Sequence, residues 1–101
     1  MSEENWHGKT LAWQLGNIGS EILRAINREK IGDMLGRKNA LERALELIDL
    51  TLSDTRHFQR LKEITRLREL VAANYIENDY YQVTLNDLQN YLLPFAVLAR
   101  R

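Results

Sequence analysis

The chain has 101 residues, enough for one domain (1–101) whose core needs no metal or disulfide staple; 45% hydrophobic and 28% charged residues mark it as globular, not disordered. It has no cysteine, which excludes disulfides, thiolate metal sites and cysteine nucleophiles, and which fits a cytoplasmic protein. Fourteen basic and fourteen acidic residues give a net charge of zero, without the basic excess of a general nucleic-acid binder.

The chain opens MSEENWHGK, acidic and polar, which lacks the basic and then apolar order of a signal peptide. Residues 1–8 are expected either to be disordered or to extend the first helix towards its N-terminus. That helix is predicted from about residue 9 to about 30: Leu11, Leu15, Ile18, Ile22 and Ile26 fall on one face, Thr10 caps the start and Gly32 stops it. Two glycines, Gly16 and Gly19, sit inside it, each at a cost of roughly 1 kcal/mol relative to alanine. With Ser20 they make a small-residue ridge along which another backbone can come close. A tight crossing inside the fold is one reading. A self-association face that also uses Trp6 and Trp13, seven residues apart, is the other. Beside the ridge runs a polar line of Asn17, Glu21, Arg24 and Arg28.

The second helix carries Met34, Leu41, Leu45, Ile48 and Leu52. Asp33 can cap a start at Met34, and Asn39 with Glu42 offers an alternative start at Ala40. The third is expected to begin at Ser53-Asp54 and to run to about Ile76 on a stripe of Phe58, Leu61, Ile64, Val71 and Tyr75. Its polar side holds Arg60, Glu63 and Arg66. If that line faced the one on the first helix, Asn17, Glu21, Arg24, Arg28, Glu63 and Arg66 would form a partly buried charged cluster, a candidate for function. Otherwise both lines are solvated salt-bridged faces.

Asn78, Asp79 and the tyrosines Tyr75, Tyr80, Tyr81 and Tyr91 enrich the next connection, as an interface or as an aromatic plug. The fourth helix has Thr84 as cap, Asp87 three residues later and a Val83/Leu88 staple, followed by Leu85, Leu88, Leu92, Phe95 and Ala99. Pro94 removes one backbone donor from it and is expected to kink or loosen it. Four amphipathic helices with short connections predict an all-α, antiparallel up-down-up-down four-helix bundle. A 34-residue shift carries Leu15-Gly16 onto Asp49-Leu50, so no tetratricopeptide period exists.

Chemical motifs are sparse. The five glycines match no phosphate-binding pattern. His7 and His57 lack the spacing of metal ligands, and His57 reads as a surface residue beside Arg56. No patterned base accompanies Ser2, Ser20 or Ser53. No catalytic residue, metal site or cofactor is nominated.

The fragments WQLGNIGSEILRAIN, RALELIDLTLSD and RLKEITRLREL, within residues 13–75, resemble a set of short, uncharacterised, all-helical bacterial proteins. In architecture the chain also resembles the HEPN-type helical bundles, which include toxin nucleases and partners of minimal nucleotidyltransferases. The nuclease motif of that superfamily is an Arg followed after four to six residues by a His. Here Thr51, Leu52 and Ser53 stand before His57 and none is Arg, so the resemblance implies no nuclease activity. The resulting expectation is a cytoplasmic protein, without a membrane segment, that binds another protein and forms a homodimer. A component of a toxin–antitoxin-like pair is one form of that role. The rival expectation is a nucleotide- or RNA-acting enzyme that uses the Glu/Arg cluster.

Overall fold

The computed structural model describes residues 3–77 and 82–100. Among them are α1 (Glu3–His7), α2 (Leu11–Lys30), α3 (Met34–Leu52), a 3₁₀ turn (Thr55–Arg60), α4 (Leu61–Tyr75) and α5 (Leu85–Ala99). The chain is all-α as expected and the helix expected at about 9–30 is α2, but a fifth helix, α1, precedes it. Gly8 ends α1, the Lys9 N–H donates back to the Trp6 carbonyl, and the Thr10 side chain accepts from Trp13 N to begin α2 afresh. Residues 3–7 are therefore a separate helix and not an extension of α2. Residues 78–81, and the expectation attached to Asn78, Asp79, Tyr80 and Tyr81, lie outside the described residues.

Local capping decides the other boundaries. Gly32 takes φ +76° in the α2–α3 turn, a conformation that glycine adopts without steric cost. Asp33 Oδ1 accepts from Gly36 N at 2.8 Å, so α3 starts at Met34 and not at Ala40. Asp54 also caps, but the element it caps is the 3₁₀ turn; α4 begins only at Leu61, because His57 departs from helical geometry (φ −101°, ψ 20°). Thr84 and Asp87 form the reciprocal capping box that their spacing predicts. Pro94 is accommodated within α5: it and Asn90 are exposed, so the carbonyl left without a donor faces water.

Helix α2 lies in the middle, packed on α3 along one side and on α5 along the other, while α4 docks on α3. Leu15, Ile18, Ile22 and Ile26 of α2 meet Leu41, Leu47 and Ile48 of α3, Ile64, Leu67 and Val71 of α4, and Leu85, Leu88 and Leu92 of α5 in one core. Each such side chain contributes roughly 1.5–3 kcal/mol by leaving water. Neighbouring helices run in opposite directions: Asp49 pairs with Arg68 and Glu42 with Tyr75 across α3–α4, and Gly16 meets Ala96 while Gly19 meets Leu92 across α2–α5. A β-carbon on Gly16 would stand 3.0 Å from the Ala96 Cα, and one on Gly19 would stand 3.1 Å from the Leu92 Cβ. The two glycines let α5 lie directly on the α2 backbone. Contact between α4 and α5 is sparse by comparison, and their seam stays partly open. No helix among the described residues is long and apolar enough to cross a membrane.

Candidate functional site

Where α1, the start of α2, the end of α3 and the 3₁₀ turn meet, polar side chains are buried together. Gln14 and Thr51 are fully buried, and Asp54 nearly so. Both Gln14 and Thr51 sit on otherwise apolar faces, Gln14 beside Leu15 and Ile18, Thr51 beside Leu47 and Ile48. That is the sequence signal that could have found this cluster, since a polar residue on a core-facing stripe must find a partner.

The hydrogen bonds form a closed set. Trp6 Nε1 donates to Thr51 Oγ1 at 2.9 Å, and Thr51 Oγ1 donates to the Leu47 carbonyl at 2.9 Å. Gln14 Nε2 donates to the Trp6 carbonyl at 2.8 Å and to Asp54 Oδ2 at 3.3 Å. A carbonyl accepts only, so the Gln14 amide has one orientation, and its Oε1 accepts from His57 Nε2 at 3.0 Å. Arg56 grips Asp54 with two nitrogens, at 2.9 and 2.6 Å, and donates to the Lys9 carbonyl at 2.7 Å. His57, expected at the surface, has a side chain only 11% exposed, because Gln14 and Asp54 draw it inward.

Electrostatics reflect this geometry. The Arg56 guanidinium holds the Asp54 carboxyl far below the usual carboxylate range, with help from the Arg56 N–H and Gln14 and against the opposing effect of burial. Burial pushes the His57 imidazole below its ordinary value; Asp54 opposes that shift, while Arg56, His7 and Arg60 add to it. His57 is therefore neutral at pH 7, with its proton on Nε2.

His7 and Ser53 stand at a distance that suits a base and its nucleophile, 2.9 Å, yet the chemistry fails. His7 Nε2 is also 2.9 Å from the Leu50 carbonyl oxygen, so this nitrogen carries the proton and cannot accept one. The Ser53 hydroxyl donates to the same carbonyl. The arrangement caps the end of α3. The whole cluster is a clasp that fastens α1 to the rest of the fold, and among the described residues no three His, Asp or Glu side chains gather as metal ligands.

The two expected polar lines are not brought together. On α2, Glu21 pairs with Arg24, Arg28 with Asp33, and Asn17 with the Trp13 carbonyl. On α4, Glu63 pairs with Arg60 and Arg66 with Glu69. These ion pairs each run along one helix or turn, and Glu63 also accepts from Tyr91 of α5. The expected interface residues are also placed within the chain. Trp6 is fully buried; Trp13 is half-buried and edge-on to it at 5.2 Å; Gly16 and Gly19 are covered by α5; Ser20 is exposed and donates to the Gly16 carbonyl.

Two clefts remain. One of about 890 Å³ lies between the end of α2 and the start of α5, lined by Glu29, Arg37, Asn74, Glu77 and Thr84. Arg37 is buried there; its Nη2 donates to the Asn74 carbonyl at 3.3 Å, and its Nε lies 3.6 Å from Glu29. The second, about 270 Å³, lies in the α4–α5 seam among Leu67, Leu70, Leu88 and Tyr91, and the Tyr91 hydroxyl donates to Glu63 across it.

No protein-family model matches the chain, and neither a curated protein nor a solved structure matches it.

Proposed function

We propose that the chain acts by binding protein, as an antiparallel up-down-up-down bundle of α2–α5 strapped by α1, and that it forms a homodimer in the cytoplasm. The observation that supports this reading most is the outer side of α5. From Leu88 to Ala99 the helix has no charged residue, yet Leu93, Val97 and Leu98 are 51%, 50% and 54% exposed. Single exposed leucines are ordinary, but three large apolar side chains on two neighbouring turns, with Pro94 and Tyr91 beside them, make a contiguous patch of the kind that marks interaction surfaces.

A paired role of the toxin–antitoxin kind, suggested by the resemblance to HEPN-type bundles, is a binding role too and draws on the same surface. Catalysis through Glu21, Arg24, Glu63 and Arg66 has no such support, since their ion pairs run along separate helices. Sedimentation equilibrium between about 1 and about 100 μM, a range that brackets modest interfaces, tests the self-association. The expected result is a mass rising from 11.8 kDa towards twice that value. A single 11.8 kDa species throughout rejects the homodimer.

A further inference from the structure

We infer that the cleft between the end of α2 and the start of α5 binds a free α-amino acid, with its carboxylate on Arg37 and the first turn of α5 and its ammonium on Glu29 and Glu77. The inference goes beyond the protein-binding reading above and does not depend on it.

Arg37 is the one lysine or arginine among the described residues that is buried, with a side chain only 10% exposed. Burying a guanidinium is costly unless its five N–H groups find acceptors. The less buried arginines find them: Arg56, Arg60 and Arg68 donate to carboxylates at 2.6, 2.8 and 2.6 Å. Arg37 does not. Its Nη2 donates to the Asn74 carbonyl at 3.3 Å, its Nε has no hydrogen-bond partner, and Glu29 stands 3.6 Å from that Nε. The arginine that most needs a two-pronged acceptor therefore lacks one within the chain. Its side chain lines a cleft of about 890 Å³, a size usual for small-ligand sites.

The start of α5 lines the same cleft with Thr84, Leu85 and Asn86. Asn74 ties the two walls together, since its carbonyl takes Arg37 Nη2 and its Nδ2 donates to the Val83 carbonyl at 2.9 Å, one residue before the Thr84 cap. The capping box occupies the Thr84 and Asp87 N–H groups. Those of Leu85 and Asn86, in the first turn, have no acceptor within the helix. They lie at the positive end of a 15-residue helix and favour an oxyanion beside Arg37.

The remaining charges set the other end of the ligand. Glu29 and Glu77 also line the cleft; Glu29 is half-exposed, and Glu77 is exposed and in no ion pair. Two carboxylates against one guanidinium oppose a simple anion such as phosphate. A neutral molecule leaves Arg37 unanswered. A zwitterion serves both, and an α-amino acid carries its two charges on one carbon.

The test is an NMR titration of the ¹⁵N-labelled full chain with each of the twenty common amino acids up to about 10 mM, a range that brackets weak small-ligand sites. Acetate, methylammonium and inorganic phosphate are run in parallel. We expect at least one amino acid to give saturable shifts at the Arg37 Nε–H and the Leu85 and Asn86 amides, with each half-ligand and phosphate binding at least about tenfold more weakly. Arg37→Met removes the saturation, and Glu77→Gln weakens binding at least about threefold. Circular dichroism reports on folding; should Arg37→Met fail to fold, Glu77→Gln and Glu29→Gln carry the test. Acetate or phosphate binding as tightly as the best amino acid overturns the zwitterion assignment. No saturable shift at these groups from any of the twenty, or binding unchanged in Glu77→Gln and Glu29→Gln, overturns the site.

Discussion

The clasp at the α1 end and the outer face of α5 solve opposite problems. At the clasp, polar groups are taken out of water and joined into a closed set: Trp6 to Thr51, Gln14 to Trp6, Asp54 and His57, and Asp54 to Arg56. On α5, the apolar side chains of Leu93, Val97 and Leu98 are left about half exposed to water. A buried polar set is specific because each member fails without its partner. An exposed apolar face has no such internal requirement, so it is free to serve contacts outside the chain. The most chemically suggestive residues here, a histidine, an aspartate and a glutamine in contact, thus have a structural task, and the chemically plain helix is the better candidate for function.

The two regions should differ steeply in their sensitivity to substitution. Trp6→Ala should have the largest effect, about 3–5 kcal/mol of stability by urea denaturation, because it empties a fully buried site and leaves Thr51 without its donor. A loss below about 1 kcal/mol would mean that α1 contributes little and that the clasp is ornamental.

Next comes the crossing that fixes α5. Gly16→Leu should destabilise by more than about 2 kcal/mol despite the better helix propensity of leucine, because its Cβ already meets the Ala96 backbone. Gly19→Ala should cost less than Gly16→Leu, since it adds a single methyl, 3.1 Å from the Leu92 Cβ, where leucine adds four carbons against the Ala96 backbone. A higher melting temperature for Gly16→Leu would break the description of that crossing.

Acid should loosen the clasp in two stages. The neutral imidazole of His57 belongs to the folded state, while the unfolded chain takes up a proton near the ordinary value of 6.5, so stability is level above about pH 6.5 and falls as pH drops below it. Asp54 is depressed from 3.8, so its contribution is intact above that value and is lost as pH falls below it. Urea midpoints at pH 7.5, 5.5 and 3 should decline in order, and His57→Asn should remove most of the first decline. An unchanged first decline in that variant would assign it to other groups.

The smallest effect is expected on α5. Leu93→Ala and Val97→Ala should change monomer stability by no more than about 0.5 kcal/mol, as at ordinary surface positions. A loss near 2 kcal/mol at either would show that the face is covered within the chain and would erase the contrast.

What could be read from the sequence was whatever short-range chemistry decides. The Thr84–Asp87 box, the Asp33 cap and the closeness implied by Gly16 and Gly19 all depend on residues within a turn of one another. What could not be read depends on pairing across the chain. His57 looked exposed because its partner Gln14 lies 43 residues away, and Gly16 gave no sign that its neighbour would be Ala96 and not a second copy. The polar lines on α2 and α4 were legible as lines, but periodicity carries no information about which way two helices turn towards each other. The separate α1 stood between these cases: Gly8 and the Thr10 cap were visible, yet the bonds of Trp6 and Gln14 that dock it were not.

The α2–α5 crossing has a consequence during synthesis. Gly16 is made 80 residues before the Ala96 that covers it. At ordinary translation speeds of 5–20 residues per second that leaves about 4 to 16 s in which α2 exists without its cover. The α2–α3 hairpin can assemble in this interval, since its partners are close in sequence, but one side of Leu15 and Ile18 waits in contact with water. Two glycines in that stretch weaken its tendency to be helical in the meantime. The nascent chain thus reaches α5 with α2 only partly committed, and α5 covers it late, once it has emerged from the ribosome.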